Sequence, residues 1–186
     1  MTNAEIRFFW LACDSIGAPF GMLFKFLLLT GARLNEASRI TYAELQDHGT
    51  AWLLPATRAK NKRPLVVPLS ALARAQLGTA TDTGYIFTTT GRTPISGFSK
   101  TKARLDAAMA TMANAAIAPW VLHDLRRTAA TGMAEIGVAP HIVEACLNHV
   151  SGAKAGVAGT YNRAIYAEEK RVALERWAAH VQGITS

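Results

Sequence analysis

Cysteine is scarce in this chain. Its 186 residues contain two, Cys13 and Cys146, too few and too widely separated for a disulfide framework. Neither has neighbouring ligands at the spacing of a zinc site. Acidic residues are also the minority, 13 Asp+Glu against 20 Lys+Arg, which leaves a formal net charge of +7. Long apolar runs are missing: the most hydrophobic stretch, Phe20 to Leu29, is interrupted by Lys25 and is about half of what a bilayer span requires. The first ten residues carry Glu5 and Arg7, which is unlike a secretory leader. There is no internal repeat, no long low-complexity tract and no linker that would divide the chain. Half of the residues are hydrophobic, which excludes a disordered polypeptide. These absences predict one reduced, cytoplasmic globular domain. The positive balance makes nucleic acid the first candidate partner, because phosphate neutralisation by Lys and Arg dominates such binding.

Helical signals dominate what is present. Thr2 and Glu5 have capping-box spacing ahead of Ile6, Phe9, Trp10 and Cys13, and Gly17 and Pro19 end that segment. A second helix is predicted from Pro19 to Leu29, then a short one around Leu34 to Ser38. Trp52-Leu53-Leu54 and Leu65-Val66-Val67 are short apolar runs on either side of the basic stretch Arg58 to Pro64, the pattern of two or three strands joined by a charged turn. Helices resume after Ser70. One is expected from an N-cap at Ser96 to roughly Ala115, one from His123 to Ile136 stopped by Gly137, one opened by Pro140 and ending near His149, and a terminal one from Ile165 to Val181. The fold class read from this is α+β, mainly α, with a small antiparallel sheet.

Four features carry chemistry, and they occur in a fixed order. Thr30-Gly31-Ala32-Arg33-Leu34-Asn35-Glu36 sets an Arg at a helix start with Glu36 three residues on. Arg58-Ala59-Lys60-Asn61-Lys62-Arg63 is the basic turn before Pro64 to Ser70. Leu122-His123-Asp124-Leu125-Arg126-Arg127-Thr128 opens a helix. Leu147-Asn148-His149 is followed twelve residues later by Tyr161, in Gly159-Thr160-Tyr161-Asn162-Arg163. In this order they resemble the catalytic domain of the tyrosine recombinase (phage integrase) family, of the bacteriophage and prophage type. The resemblance covers nearly the whole chain and extends through Glu168-Glu169-Lys170-Arg171 to Trp177. It implies the fold of that catalytic domain over residues 1–186, with the family's N-terminal core-binding domain absent.

The residue types suit attack on a phosphodiester. Two guanidiniums can hold the nonbridging oxygens whose negative charge grows in the transition state, and Arg33 and Arg126 are the candidates. His123 and Arg126 are three apart, so they share a helix face and can meet one phosphate. Lys60, on a flexible stem at the turn, can protonate the leaving 5′-oxygen. The resemblance favours Lys60 over Lys62, because it lies eight residues before Pro68. His149 is expected to hydrogen-bond the phosphate or position the nucleophile, with His123 as acid or base. Tyr161 is the implied nucleophile, giving a covalent 3′-phosphotyrosine. Arg58, Lys62, Arg63, Lys100 and Lys102 are expected DNA contacts. No metal or other cofactor is expected, since Arg and Lys supply the positive charge.

Other positions have plainer readings. Tyr166 competes with Tyr161 but suits packing at the start of the terminal helix. His48, His141 and His180 lack partner patterns. Glu36 is read as orienting Arg33 or a neighbouring backbone group. Asn148 stands where the family usually has Gly. Leu174, Trp177, Ala178 and Val181 form a stripe that could pack on its own domain or on a neighbouring protomer. The implied partners are double-stranded DNA attachment sites, a tetramer on DNA from a monomer in isolation, and accessory DNA-bending and excision proteins, with no membrane. A nicking-closing enzyme of the topoisomerase type and a noncatalytic DNA-binding regulator are the alternatives.

Overall fold

The computed structural model describes residues 1–78, 84–149 and 166–186. Helix α1 (Asn3–Ile16) starts on the expected capping box: the Thr2 hydroxyl accepts from the Glu5 amide, and the Glu5 carboxylate accepts from the Thr2 amide. Its apolar face buries Ile6, Phe9, Trp10 and Cys13. Helix α2 (Phe20–Thr30) is buried on nearly every side and touches α1. Lys25 survives inside it because its stem lies along Trp10, with Nζ 4.3 Å from the ring centroid and 2.5 Å from Asp14 Oδ1 near the surface.

After the short α3 (Leu34–Ala37), the chain makes a three-stranded antiparallel sheet of β1 (Leu45–Gln46), β2 (Ala51–Leu54) and β3 (Leu65–Pro68) in the order β1-β2-β3. Trp52 pairs with Val67 and Leu54 with Leu65, so residues 55–64 form the turn that bears the basic stretch. Helix α4 (Ala71–Arg74) is capped by the Ser70 hydroxyl, which accepts from the Ala73 amide. Then follow α5 (Phe98–Ala113), α6 (Asp124–Glu135), α7 (Pro140–Cys146) and α8 (Ala167–Thr185). A single hydrophobic core runs from Ile6 on α1 to Val181 on α8.

Several boundaries differ from those expected. His123 is the residue before α6 and not part of it. Helix α5 begins after Gly97, whose φ of 85° suits glycine and not Ser96. Helix α7 stops at Cys146, because Asn148 turns left-handed with φ 50°. Of the expected terminal helix, Ile165 lies outside the described residues; Tyr166 is left-handed with φ 48° and precedes α8, which continues past Val181.

The stripe on α8 packs on its own domain. Leu174, Trp177, Ala178 and Val181 are buried, and α8 touches α1, α2, α6, α7 and β3. The Trp177 indole donates to the Leu28 carbonyl at 2.8 Å. Gly132 on α6 makes room for the ring: a Cβ there would stand 2.2 Å from Trp177 Cζ3. In this chain the stripe is covered by its own domain. A chain ending at Arg171 should lose cooperative unfolding, and Trp177→Ala should cost about 3–5 kcal/mol in denaturant titration. A truncated chain with an unchanged melting transition would contradict this packing.

Candidate active site

The site is built around Arg126, on the first turn of α6 and only 6% exposed. Its Nη1 donates to the Gly31 carbonyl at 2.7 Å and its Nη2 to the Leu147 carbonyl at 2.6 Å. Both acceptors are helix C-caps, of α2 and α7 respectively, where carbonyls lack intrahelical partners. Gly31 suits its position: it has φ 63°, and a Cβ would come 2.6 Å from Leu147 Cδ2, so the Leu147 side chain would have to shift. Burial, and then the neighbouring Arg33 charge, pull the Arg126 guanidinium down to about 10, while Glu36 and Glu144 oppose them. It remains a cation at neutral pH.

Arg33 precedes α3 in extended conformation, and its Nη1 lies 3.2 Å from Glu36 Oε1. Glu36 is buried, and the same Oε1 accepts from the Lys60 amide at 3.1 Å. One carboxylate thus orients the Arg33 guanidinium and fixes the backbone of the lysine turn. The sequence reading of Glu36 allowed for either partner; the structure supplies both.

His123 is solvent-facing at the mouth of α6. Its imidazole titrates below the ordinary 6.5, through burial first, then the charges of Arg126 and Arg127, with Asp124 opposing and Arg33 adding to the depression. The bond from Arg126 to the Gly31 carbonyl brings the first and third sequence motifs into one neighbourhood. The fourth joins them through Leu147 and through His149, whose Nδ1 lies 3.0 Å from Glu144 Oε2. Tyr161 lies outside the described residues. Its competitor Tyr166 packs its ring against His141, with centroids 5.3 Å apart.

The basic residues divide. Lys60, Lys62, Arg63 and Lys100 are exposed. Arg58 is turned inward: Nε bonds Glu44 Oε1 at 3.0 Å, Nη2 pairs with Glu44 Oε2, and Nη1 donates to the Glu36 carbonyl at 2.9 Å. It braces the base of the turn. Lys102 is held by both Asp106 oxygens at 2.7 Å and lies 3.7 Å from the Trp120 ring centroid. Both cations were expected on DNA, and both have internal partners that the linear sequence did not reveal. Among the described residues, no three His, Cys, Asp or Glu side chains cluster as metal ligands. Among them, too, no helix is long and apolar enough to cross a membrane.

The sequence profile described as "Phage integrase family" matches residues 1–167. The chain belongs to the phage integrase family. A relative within it, prophage integrase IntA of Escherichia coli (strain K12), is 32% identical over 178 residues, covering 92% of this chain and 41% of the relative. The fold is similar to that of XerH site-specific recombinase. In a post-cleavage complex with a palindromic difH substrate, the TM-score is 0.63 at 19% identity, over 96% of this chain and 52% of that one. In a pre-cleavage complex with difH it is 0.62 at 18% identity, over 91% and 52%. The present chain therefore spans about half or less of the length of these relatives.

In this integrase-family fold the His123 environment has a measurable consequence. The folded chain binds fewer protons there than the unfolded chain near pH 6. That contribution therefore leaves stability undiminished above the ordinary histidine value and lowers it as pH falls through 6.5. An NMR titration should place the His123 midpoint below 6.5, and Arg127→Ala should raise it. A midpoint at or above 6.5 in the unmutated chain would contradict the arrangement.

Proposed function

We propose that this chain is the catalytic domain of a site-specific DNA recombinase that cuts and rejoins duplex attachment sites through a tyrosine intermediate. The carrying observation is the bond from buried Arg126 to the Gly31 carbonyl, which sets the motif of His123 and Arg126 beside that of Arg33 and Glu36. Such a site matches an anionic phosphodiester whose charge grows on attack. Family membership and the likeness to a recombinase fold support the same chemistry.

In the proposed reaction, the Tyr161 phenolic oxygen attacks phosphorus and its proton passes to neutral His123. The bond from phosphorus to the 5′-oxygen breaks, and that oxygen takes a proton from Lys60. Arg33 and Arg126 stabilise the nonbridging oxygens, and His149 hydrogen-bonds the phosphate. A 5′-hydroxyl from a second duplex then attacks the phosphotyrosine, restores the phosphodiester and releases the phenol. Exchange between two duplexes calls for four protomers on DNA, and accessory DNA-bending and excision proteins would set its direction. Lys62, Arg63 and Lys100 are the exposed cations left to track the DNA backbone.

A duplex nicked near the cleavage point traps the intermediate, because the short 5′-hydroxyl fragment diffuses away. The chain should form a covalent DNA adduct whose peptide mass maps to Tyr161, and Tyr161→Phe should abolish it. An adduct on Tyr166, or none with the unmutated chain, would overturn the proposal. Supercoil relaxation without exchanged product would indicate a nicking-closing enzyme instead.

A further inference from the structure

We infer that Asn148 is a positioning residue, whose carboxamide locks the Lys60-bearing turn against the segment carrying His149. The inference rests on the reading of Lys60 as proton donor to the leaving oxygen. Asn148 Nδ2 donates to Asn61 Oδ1 at 3.2 Å and to the Arg63 carbonyl at 3.1 Å. In return, Asn61 Nδ2 donates to the Asn148 carbonyl at 2.8 Å. Asn61 Oδ1 also accepts from the Arg63 amide at 3.1 Å, so a single oxygen closes the turn and receives the cross-link. These bonds join positions 87 residues apart in the chain.

With φ 50°, residue 148 occupies the left-handed region just after the α7 C-cap, where glycine is unstrained and Asn is the side chain best tolerated. The backbone admits Asn there, and the bonds of its carboxamide give it a use that glycine lacks. The site where the family usually has Gly thus keeps a glycine-like backbone and adds a carboxamide, and that carboxamide is spent on the turn. The turn has backbone bonds of its own, from the Arg58 and Ala59 amides to the Pro55 carbonyl and from the Lys62 amide to the Ala59 carbonyl, and Asn148 ties it to the rest of the domain. Strand pairing ends at Leu54 and Leu65, leaving residues 55–64 without ladder bonds. Glu36 and Arg58 hold the Arg58–Lys60 side of the turn, and Asn148 holds the Asn61–Arg63 side. Lys60 lies between the two grips with an exposed side chain. Restricting its backbone reduces the search its ammonium must make for the 5′-oxygen.

The test compares Asn148→Gly, Asn61→Ala, their double variant and Lys60→Ala in the full chain. Single-turnover cleavage of the nicked duplex is measured at saturating DNA, with either an ordinary 5′-oxygen or a 5′-bridging sulfur at the scissile bond. A thiolate leaves without being protonated, so loss of the proton donor matters only for the oxygen substrate. Asn148→Gly should slow the oxygen substrate by about tenfold. It should leave the sulfur substrate, DNA affinity and melting temperature unchanged. The double variant should be no slower than the slower single one, because both remove one link. Hydrogen exchange should quicken at the amides of residues 60–63.

Equal slowing of both substrates by Asn148→Gly would overturn the inference, as would a normal rate with oxygen. Unchanged exchange in the turn would overturn it without reference to activity. Equal slowing of both substrates by Lys60→Ala would instead remove the reading of Lys60, and the inference would fall with it. The failures are thereby distinguishable.

Discussion

A guanidinium that is 6% exposed cannot be left with water as its partner, and Arg126 is the group around which the other elements have to be arranged. Its two acceptors are the C-cap carbonyls of α2 and α7. Helix C-termini present unsatisfied carbonyls and the negative end of the peptide dipoles, so two of them meeting at one cation lower the cost of its burial. The arrangement has a steric condition. The α2 end approaches Leu147 closely enough that a Cβ at position 31 would displace the Leu147 side chain. Packing of α2 within the core, the left-handed turn at Gly31 and the direction of the α6 first turn thus combine to point one positive charge at a fixed place.

Charge balance around that place is local. The Arg33 charge disfavours the cationic form of Arg126, and Glu36 and Glu144 offset this. Glu36 adds a geometric function by accepting from the Lys60 amide, which places the backbone of the basic turn beside the first Arg. The depressed titration of His123 comes first from desolvation and then from the Arg126 and Arg127 charges.

The sequence made part of this legible. Arg33, His123, Arg126 and His149 stand out as candidates only as an ordered set that resembles a family, since each motif alone is common. Along α6, Leu125, Ala129, Met133 and Ile136 have apolar helical spacing; the first three are buried and Ile136 is half-buried. Tertiary bonds were not legible. Arg58 and Lys102 look like their solvent-exposed neighbours in the linear sequence, and only the fold supplies Glu44 to one and Trp120 with Asp106 to the other. The α8 stripe announced a buried face without saying what covered it; Gly132 and the Leu28 carbonyl decided that. Asn148 could be noticed as a departure, but its partners are 87 residues away.

Burial separates two kinds of work within the site. Arg126 and Glu36 are buried, and their bonds go to protein atoms of α2, α3, α7 and the turn. Lys60, His123 and His149 are exposed at their edges. The buried pair resists displacement because each member would leave unpaired polar groups behind if it moved, at about 1–3 kcal/mol for each. The exposed groups carry no such penalty and keep their freedom to meet an incoming phosphate from solvent. Restraint on them is applied one bond further back, to the Lys60 amide, to the Asn61–Arg63 turn and to His149 through Glu144. Under the proposed reaction this division is an advantage, because the field is fixed before the substrate arrives while the exposed tips can still reach it.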